Sequence, residues 1–294
     1  MVDYFRFLLY KFFKFIILLL PKFLVKFFLD ISIKFLYSIS KRHREKAKSN
    51  IDLVYNDTIS ESRKIEIIKN SYKNLVYNIY EFVENQTLSL KEFENKITVE
   101  NEKYILDALK NKRKIILITA HYGNWEYGNT FIPLKYAPTT MVGRPLNNIY
   151  LNKELDLTRT RNNNEMLTKS EASRGLVKAL KNNRMLGLVI DQHNKTGIQV
   201  DFLGHRVKQT DSSSRLAIKF DALIIPIFFT MTSFGKYTAK FYQPIEPSTF
   251  KGENQIKDLT QAQADIMSEH ILENPDQWLW QHKRFKKYHQ SIYK

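Results

Sequence analysis

The chain has 294 residues, of which 43% are hydrophobic and none is cysteine. That length can bury a full core, as one large domain or as one domain with an appendage. The lack of cysteine excludes disulfides, thiolate metal sites and cysteine nucleophiles, in keeping with a reducing compartment. A formal charge of +16 attracts polyanions and leaves nucleic acid and anionic lipid as candidate partners.

Position along the chain separates those two. Residues 1–50 hold eleven Lys or Arg and three acids, so half of the excess charge sits there. From Val2 to Ser40 the basic residues are interleaved with Phe, Leu, Ile and Tyr, and the longest uncharged stretch is seven residues, Phe15 to Pro21. A straightforward spanning helix needs about 20 apolar residues. At about 100° per residue, Lys11, Lys22 and Lys26 share a narrow sector that Asp30 and Lys34 continue around the cylinder, as in amphipathic helices. The pattern predicts a segment lying in the lipid headgroup region, with its lysines snorkelling toward phosphate. Lys41, Arg42, Arg44, Lys46 and Lys48 would then face the anionic surface, each contributing about 1 kcal/mol. An export signal would need an unbroken apolar core and a small-residue cleavage site, and the sequence has neither. The other reading of these residues is a helix buried against the protein itself. The expected organisation is therefore a membrane-anchoring segment at 1–50 and a catalytic domain at 51–294, with an anionic membrane surface as partner and no nucleic acid.

Residues 59–83 open with Ser60 and Glu61 and then place Ile65, Ile67, Ile68, Tyr72, Leu75, Ile79 and Phe82 at helical spacing. Lys114–Ala120 (KIILITA), Leu186–Ile190 (LGLVI) and Ala222–Thr230 (ALIIPIFFT) are short apolar runs suited to strands covered on both faces. Helical stretches at about 151–168 and 171–182 lie between the first two. Lys236–Tyr242 alternates like a strand near an edge, and Lys257–Glu273 reads as a late helix stopped by Asn274 and Pro275. The order implies an α/β fold, with a mixed central sheet flanked by helices and an N-terminal amphipathic, membrane-anchoring helical segment. No internal repeat or glycine-rich phosphate loop is present, so nucleotide binding has no support.

The informative segment is ITAHYGNWEYGN. The strand ends at Ala120, His121 follows at once, and Glu126 comes five residues after it. On one helix these two side chains would stand about 140° apart. A turn through Tyr122, Gly123, Asn124 and Trp125 would instead bring carboxylate and imidazole together, with Gly123 supplying the backbone freedom. A His–carboxylate pair without an adjacent Ser or Cys suits attack by a substrate hydroxyl, with the imidazole as general base and the carboxylate fixing its tautomer. Backbone N–H groups at the start of the following helix are candidate oxyanion donors.

HYGNWE resembles the His-x4-Asp/Glu block of the lysophospholipid acyltransferase superfamily, and its Asn-Trp-Glu ending resembles the lipid A lauroyl and myristoyl acyltransferase branch. Further blocks follow in matching order: GRPLNN (Gly143–Asn148), TRTRNN (Thr158–Asn163), RGLVKAL (Arg174–Leu180), VIDQ (Val189–Gln192) and NPDQWLWQHKRFK (Asn274–Lys286). The basic N-terminus and the helix start at Ala47, Asn50 and Ile51 extend the likeness over nearly the whole chain. The resemblance implies that His121 is the general base and Glu126 its partner. It implies that Asn124, Arg144, Arg161 and Asp191 serve substrate binding, Arg144 holding a phosphate or the donor thioester region and Asp191 supporting the site. Gly143 replaces the usual Tyr beside Arg144, and His193 stands where a second Asp is common. For Trp278, Trp280, His282 and Arg284 a structural role in locking the fold is the expectation.

The activity so implied is transfer of a fatty acyl chain from acyl carrier protein to a hydroxyl of a glycolipid acceptor, a lipid A precursor, at the cytoplasmic face of a bacterial inner membrane. No metal or cofactor is called for. Three rivals accompany it: a relative acting on another membrane acceptor such as a lysophospholipid or a mannosylated phosphoinositide, a non-enzymatic basic binder, and a zinc hydrolase using His121, Glu126 and His193. The last lacks a second His at ligand spacing within the motif.

Overall fold

The computed structural model describes residues 2–293. The N-terminal region forms three helices, α1 (Val2–Leu19), α2 (Lys22–Ile39) and α3 (Lys41–Tyr55). Pro21 separates the first two, because its ring cannot continue the hydrogen-bond ladder. Next come α4 (Glu61–Glu84), α5 (Leu90–Glu94), β1 (Ile97–Glu100), α6 (Lys103–Lys110), β2 (Ile115–Thr119), α7 (Tyr127–Lys135), β3 (Thr139–Val142), α8 (Ile149–Arg159) and β4 (Glu165–Leu167). The rest of the chain contributes α9 (Ala172–Lys181), β5 (Met185–Val189), β6 (Ile198–Phe202), β7 (His205–Gln209), α10 (Ser212–Phe220), β8 (Leu223–Ser233), β9 (Lys236–Phe241) and α11 (Gln255–Glu273). The long helix α4 starts where its cap predicts, with the Ser60 hydroxyl accepting from the Arg63 N–H.

Seven strands form one mixed sheet in the order β1-β9-β8-β2-β5-β3-β4, and β6 and β7 make a separate hairpin. Only the β8–β9 pairing in the large sheet is antiparallel. The expected α/β architecture is thus observed, and β2 is central and buried at every position. Its side chains alternate between two cores. Ile116 and Ile118 meet residues of α3, α4, α9 and α11 on one face, while Ile115 and Leu117 meet Phe93, Ile105 and Phe131 on the other.

One detail departs from expectation. The helix expected over 151–168 stops at Arg159, because Asn162 and Asn163 adopt left-handed backbone angles and Glu165–Leu167 joins the sheet. Asparagine tolerates that conformation better than other non-glycine residues. Lys236–Phe241 lies near an edge as expected, one strand in, where β1 pairs with it in parallel. β1 is only four residues long and has one fully buried side chain, which leaves no periodicity to read.

The N-terminal helices are amphipathic and only loosely packed. α1 buries no residue and α2 only Val25 and Ile33. Phe5, Phe12, Phe13, Phe15, Phe23, Phe27, Phe28 and Phe35 are exposed. α1 lies against α8 through the Lys11–Glu154 ion pair and the Tyr4–Tyr150 ring contact. α2 lies against α4 through the Tyr77 hydroxyl, which donates to Asp30. Among the described residues no helix is long and apolar enough to cross a membrane. α3 runs through residue 50 and buries Ala47, Asn50 and Ile51 in the main core.

Candidate active site

β2 and β5 are parallel neighbours in register, with Thr119 opposite Val189. Two residues past each strand end, His121 and Asp191 therefore emerge side by side. Asp191 Oδ1 is 2.7 Å from His121 Nδ1, and Oδ2 accepts from the His121 backbone N–H at 3.0 Å and from the Trp278 indole N–H at 2.8 Å. Asp191 is 2% exposed. Burial alone would raise its pKa, but the His121 ring and these three donors outweigh it and hold the carboxyl down at about 2. An ionised, fully satisfied carboxylate on Nδ1 requires Nδ1 to carry a proton, which leaves Nε2 as the basic nitrogen. Nε2 faces the Gln192 side-chain amide at 3.2 Å, on the more open side of the ring.

The expected His121–Glu126 pairing is therefore corrected: the carboxylate on the imidazole is that of Asp191. Glu126 immediately precedes α7 and is held instead by Arg159, at 2.5 Å to Nη2 and 3.2 Å to Nε, and by Asn129 at 2.9 Å. Arg159 occupies the last turn of α8, so this bidentate pair ties the beginning of α7 to the end of α8.

The turn between them is built to one shape. Gly123 has φ of +51°, and a Cβ there would lie 1.7 Å from the Phe229 carbonyl oxygen. Its N–H donates to Gln277, and its carbonyl accepts from the amides of Asn74 and Asn78 on α4. Asn124 is 1% exposed and spends its amide on buried Glu81 at 2.7 Å. This corrects the substrate-binding expectation for Asn124, which faces inward because its N–H is also tied to Phe229 at 3.0 Å. Glu81 accepts from the Tyr127 hydroxyl as well, and burial raises its pKa against the pull of Lys96. With the N–H groups of His121, Gly123 and Asn124 engaged, those of Trp125 and Glu126 have no acceptor among the described residues. These are the donors left at the α7 start.

The two other expected arginines lie apart from the pair. Arg144 is exposed on the loop before α8 and makes no ion pair among the described residues. Arg161 donates to the Gln86 carbonyl at 2.6 Å, so its role is corrected to bracing the turn after α4. Arg159, in the same TRTRNN block, is the arginine that reaches the motif, because helical phase up to the α8 end aims it at Glu126.

The C-terminal segment closes the site from behind. The Leu279 N–H donates to the His121 carbonyl at 3.0 Å, and Tyr122 bridges to Trp278. Fully buried Arg284 donates to the carbonyls of Gln192 and Lys208 and to the Gln209 side chain, and burial lowers its pKa to about 10. The structural expectation for Trp278 and Arg284 matches these contacts, although Trp278 also touches the reacting pair's carboxylate. His282 is held down at about 4, chiefly by burial. His121, Glu126 and His193 do not converge: among the described residues no three His, Asp or Glu side chains are placed to hold a metal.

Residues 1–287 match a family model described as bacterial lipid A biosynthesis acyltransferase. Among curated proteins the chain is similar to a phosphatidylinositol mannoside acyltransferase of Mycolicibacterium smegmatis, 25% identical over 180 residues that make up 60% of this chain and 58% of that protein. A protein of the same name from Mycobacterium tuberculosis is 24% identical over 168 residues, 55% of this chain and 52% of its own. The chain thus spans a little over half the length of these relatives. A solved structure of the 1-acyl-sn-glycerophosphate acyltransferase from Thermotoga maritima covers 85% of this chain and 99% of its own at 12% identity and a TM-score of 0.40. That likeness is too loose to bear on fold or reaction.

Proposed function

The chain belongs to the bacterial lipid A biosynthesis acyltransferase family, and from that premise we propose that it moves a fatty acyl chain from an acyl carrier protein thioester to a hydroxyl of a lipid A precursor. The observation that carries this reading is the His121–Asp191 pair, with Nδ1 bound to the carboxylate at 2.7 Å and Nε2 turned outward. An acceptor hydroxyl displaces the Gln192 amide and gives its proton to Nε2 as its oxygen attacks the thioester carbonyl. Asp191 offsets the imidazolium charge, and general base catalysis of this kind contributes about 10²- to 10⁴-fold. The tetrahedral oxyanion takes hydrogen bonds from the N–H groups of Trp125 and Glu126 at the α7 start. Collapse breaks the carbon–sulfur bond, and the imidazolium returns its proton to the leaving thiolate. No acyl-enzyme is formed. Arg159 and Glu126 fix the geometry of α7 and with it the two oxyanion donors.

The exposed phenylalanines of α1 and α2, with lysines among them, support an interfacial anchor on the cytoplasmic face of the inner membrane. α8 adds exposed Ile149, Tyr150 and Leu157 beside α1, so the lipid acceptor enters from that side. The names of the curated relatives favour a second reading, in which the acceptor is a mannosylated phosphoinositide. Mass spectrometry of lipids from cells with and without the protein separates the readings. Lipid A lacking one secondary acyl chain is the expected result. Unchanged lipid A with an altered phosphoinositide or phospholipid profile selects the second reading, and no lipid change in either class removes both.

A further inference from the structure

A cavity of about 750 Å³ is lined by His193, which follows Asp191 by two residues, and by Lys195, Lys283, Lys286, Lys287 and Tyr293. Two distant segments build it. One is the loop after β5, where Asp191, Gln192 and His193 are consecutive. The other is the C-terminal segment, held against that loop by the buried Arg284 guanidinium. None of these four lysines has a carboxylate within ion-pair distance among the described residues, whereas Lys11, Lys26, Lys48, Lys96 and Lys135 each do. Burial lowers the pKa of His193, and the nearby positive charges of Lys286, Arg284, Lys195 and Lys287 lower it further. The fold thus gathers like charges around one concavity and pairs none of these lysines with a carboxylate among the described residues.

We infer that this cavity binds the phosphate of the pantetheine arm that carries the acyl thioester. The inference rests on the acyl-transfer reading and names a subsite for the donor. Lysine ammoniums are compact charges suited to phosphate oxygens, and the volume is that of a small-ligand site. The phosphate is the only charged group on a pantetheine arm, and the arm's length sets it apart from the reacting sulfur. The cavity is basic and its lining includes neither His121 nor Asp191, so a phosphate held there would sit apart from the reacting atoms. The acceptor lipid is better placed elsewhere, since the exposed apolar residues that could hold its acyl chains lie on α1, α2 and α8.

The test compares the full-length wild type with a Lys283→Gln/Lys286→Gln/Lys287→Gln variant, which leaves Arg284 in place. Each is assayed with acyl-coenzyme A, acyl carrier protein and acyl-pantetheine, the last lacking the phosphate. The wild type should favour at least one phosphate-bearing donor over acyl-pantetheine by about tenfold or more in kcat/KM, through KM, and the triple variant should bring that ratio near one. Loss of preference for one carrier alone identifies it as the source of the arm and supports the inference. A preference that survives the substitutions, or its absence in the wild type, overturns it. If the wild type transfers acyl from none of the three, the acyl-transfer reading fails first. Equilibrium dialysis with coenzyme A then decides the cavity separately: binding to the wild type that the variant loses supports a phosphate site, and equal binding or none overturns it.

Discussion

His121 and Asp191 lie seventy residues apart in sequence and 2.7 Å apart in space, because they leave the ends of two adjacent parallel strands at the same register. The carboxylate is saturated by the His121 ring, the His121 backbone N–H and the Trp278 indole. It has one tautomer to impose, with the proton on Nδ1.

Asp191→Asn should therefore remove most activity without unfolding the protein. The amide is nearly isosteric, but its NH2 group can donate to Nδ1 and so place the imidazole proton on Nε2, where it cannot act as a base. A fall in kcat of about 10²- to 10⁴-fold is expected, with KM for the donor little changed and the near-UV circular dichroism intact. His121→Ala should lose as much, and the double variant no more than either single one, because the two act as a unit.

Glu126 and Arg159 should behave as a second unit with a different signature. Their pair is partly buried and bidentate, so Arg159→Lys keeps the charge but loses the fork. A double-mutant cycle of Glu126→Gln and Arg159→Ala should give a coupling of about 1–3 kcal/mol in kcat/KM. Strict additivity would show that the contact does not position α7 for the reaction.

Much of this arrangement was legible in the residues and part of it was not. The buried runs at β2, β5 and β8 announced a sheet covered on both faces, and HYGNWE after β2 announced the site. Proximity in sequence favours Glu126 as the partner of His121, whereas the adjacency of β2 and β5 that brings in Asp191 is a tertiary fact. Asn124 was legible as part of the motif but not as inward-facing, since its acceptor, Glu81, comes from a helix some forty residues earlier. The helix end at Arg159 has a local signal in three successive asparagines, Asn162 to Asn164, whereas the contact of Arg159 with Glu126 is tertiary and leaves none. The lysine-lined cavity left no local mark, because Lys195 and Lys283 come from segments far apart in sequence.

Gly123→Ala should be the most damaging conservative change in the motif. The backbone there is left-handed, and the new methyl would be driven into the Phe229 carbonyl, which belongs to a central strand and cannot yield cheaply. Stability should drop by about 3 kcal/mol or more, a size typical of strain and overpacking at one buried site. A urea midpoint within error of the wild type would show that the turn relaxes by another route. If enough folds to assay, displacement of His121 by about 1 Å should cost on the order of 10²-fold in kcat.

The pH dependence of stability should be set by buried histidines before it is set by Asp191. His270 is 5% exposed, stacks on Phe228 at 4.0 Å and meets the Tyr242 hydroxyl at 2.8 Å. Burial, helped by Lys240, lowers its pKa to about 3, and burial lowers that of His282 to about 4. Between the unfolded value of 6.5 and these folded values the unfolded chain binds more protons, so stability rises with pH. Both contributions are complete above about pH 6.5 and are lost as pH falls toward 4 and then 3. Asp191 has the same sign in a lower window, since its folded value near 2 lies below the unfolded 3.8, and its contribution disappears only below about pH 4. Urea unfolding from pH 7 to pH 4 should therefore show falling stability, with each histidine adding a slope of up to about 1.4 kcal/mol per pH unit. His270→Gln cannot take up the proton in either state, so although less stable at pH 7 it should show a shallower slope by about one proton. An unchanged slope in that variant would mean that His270 titrates alike in the folded and unfolded chains, which its packing between Phe228 and Tyr242 does not allow.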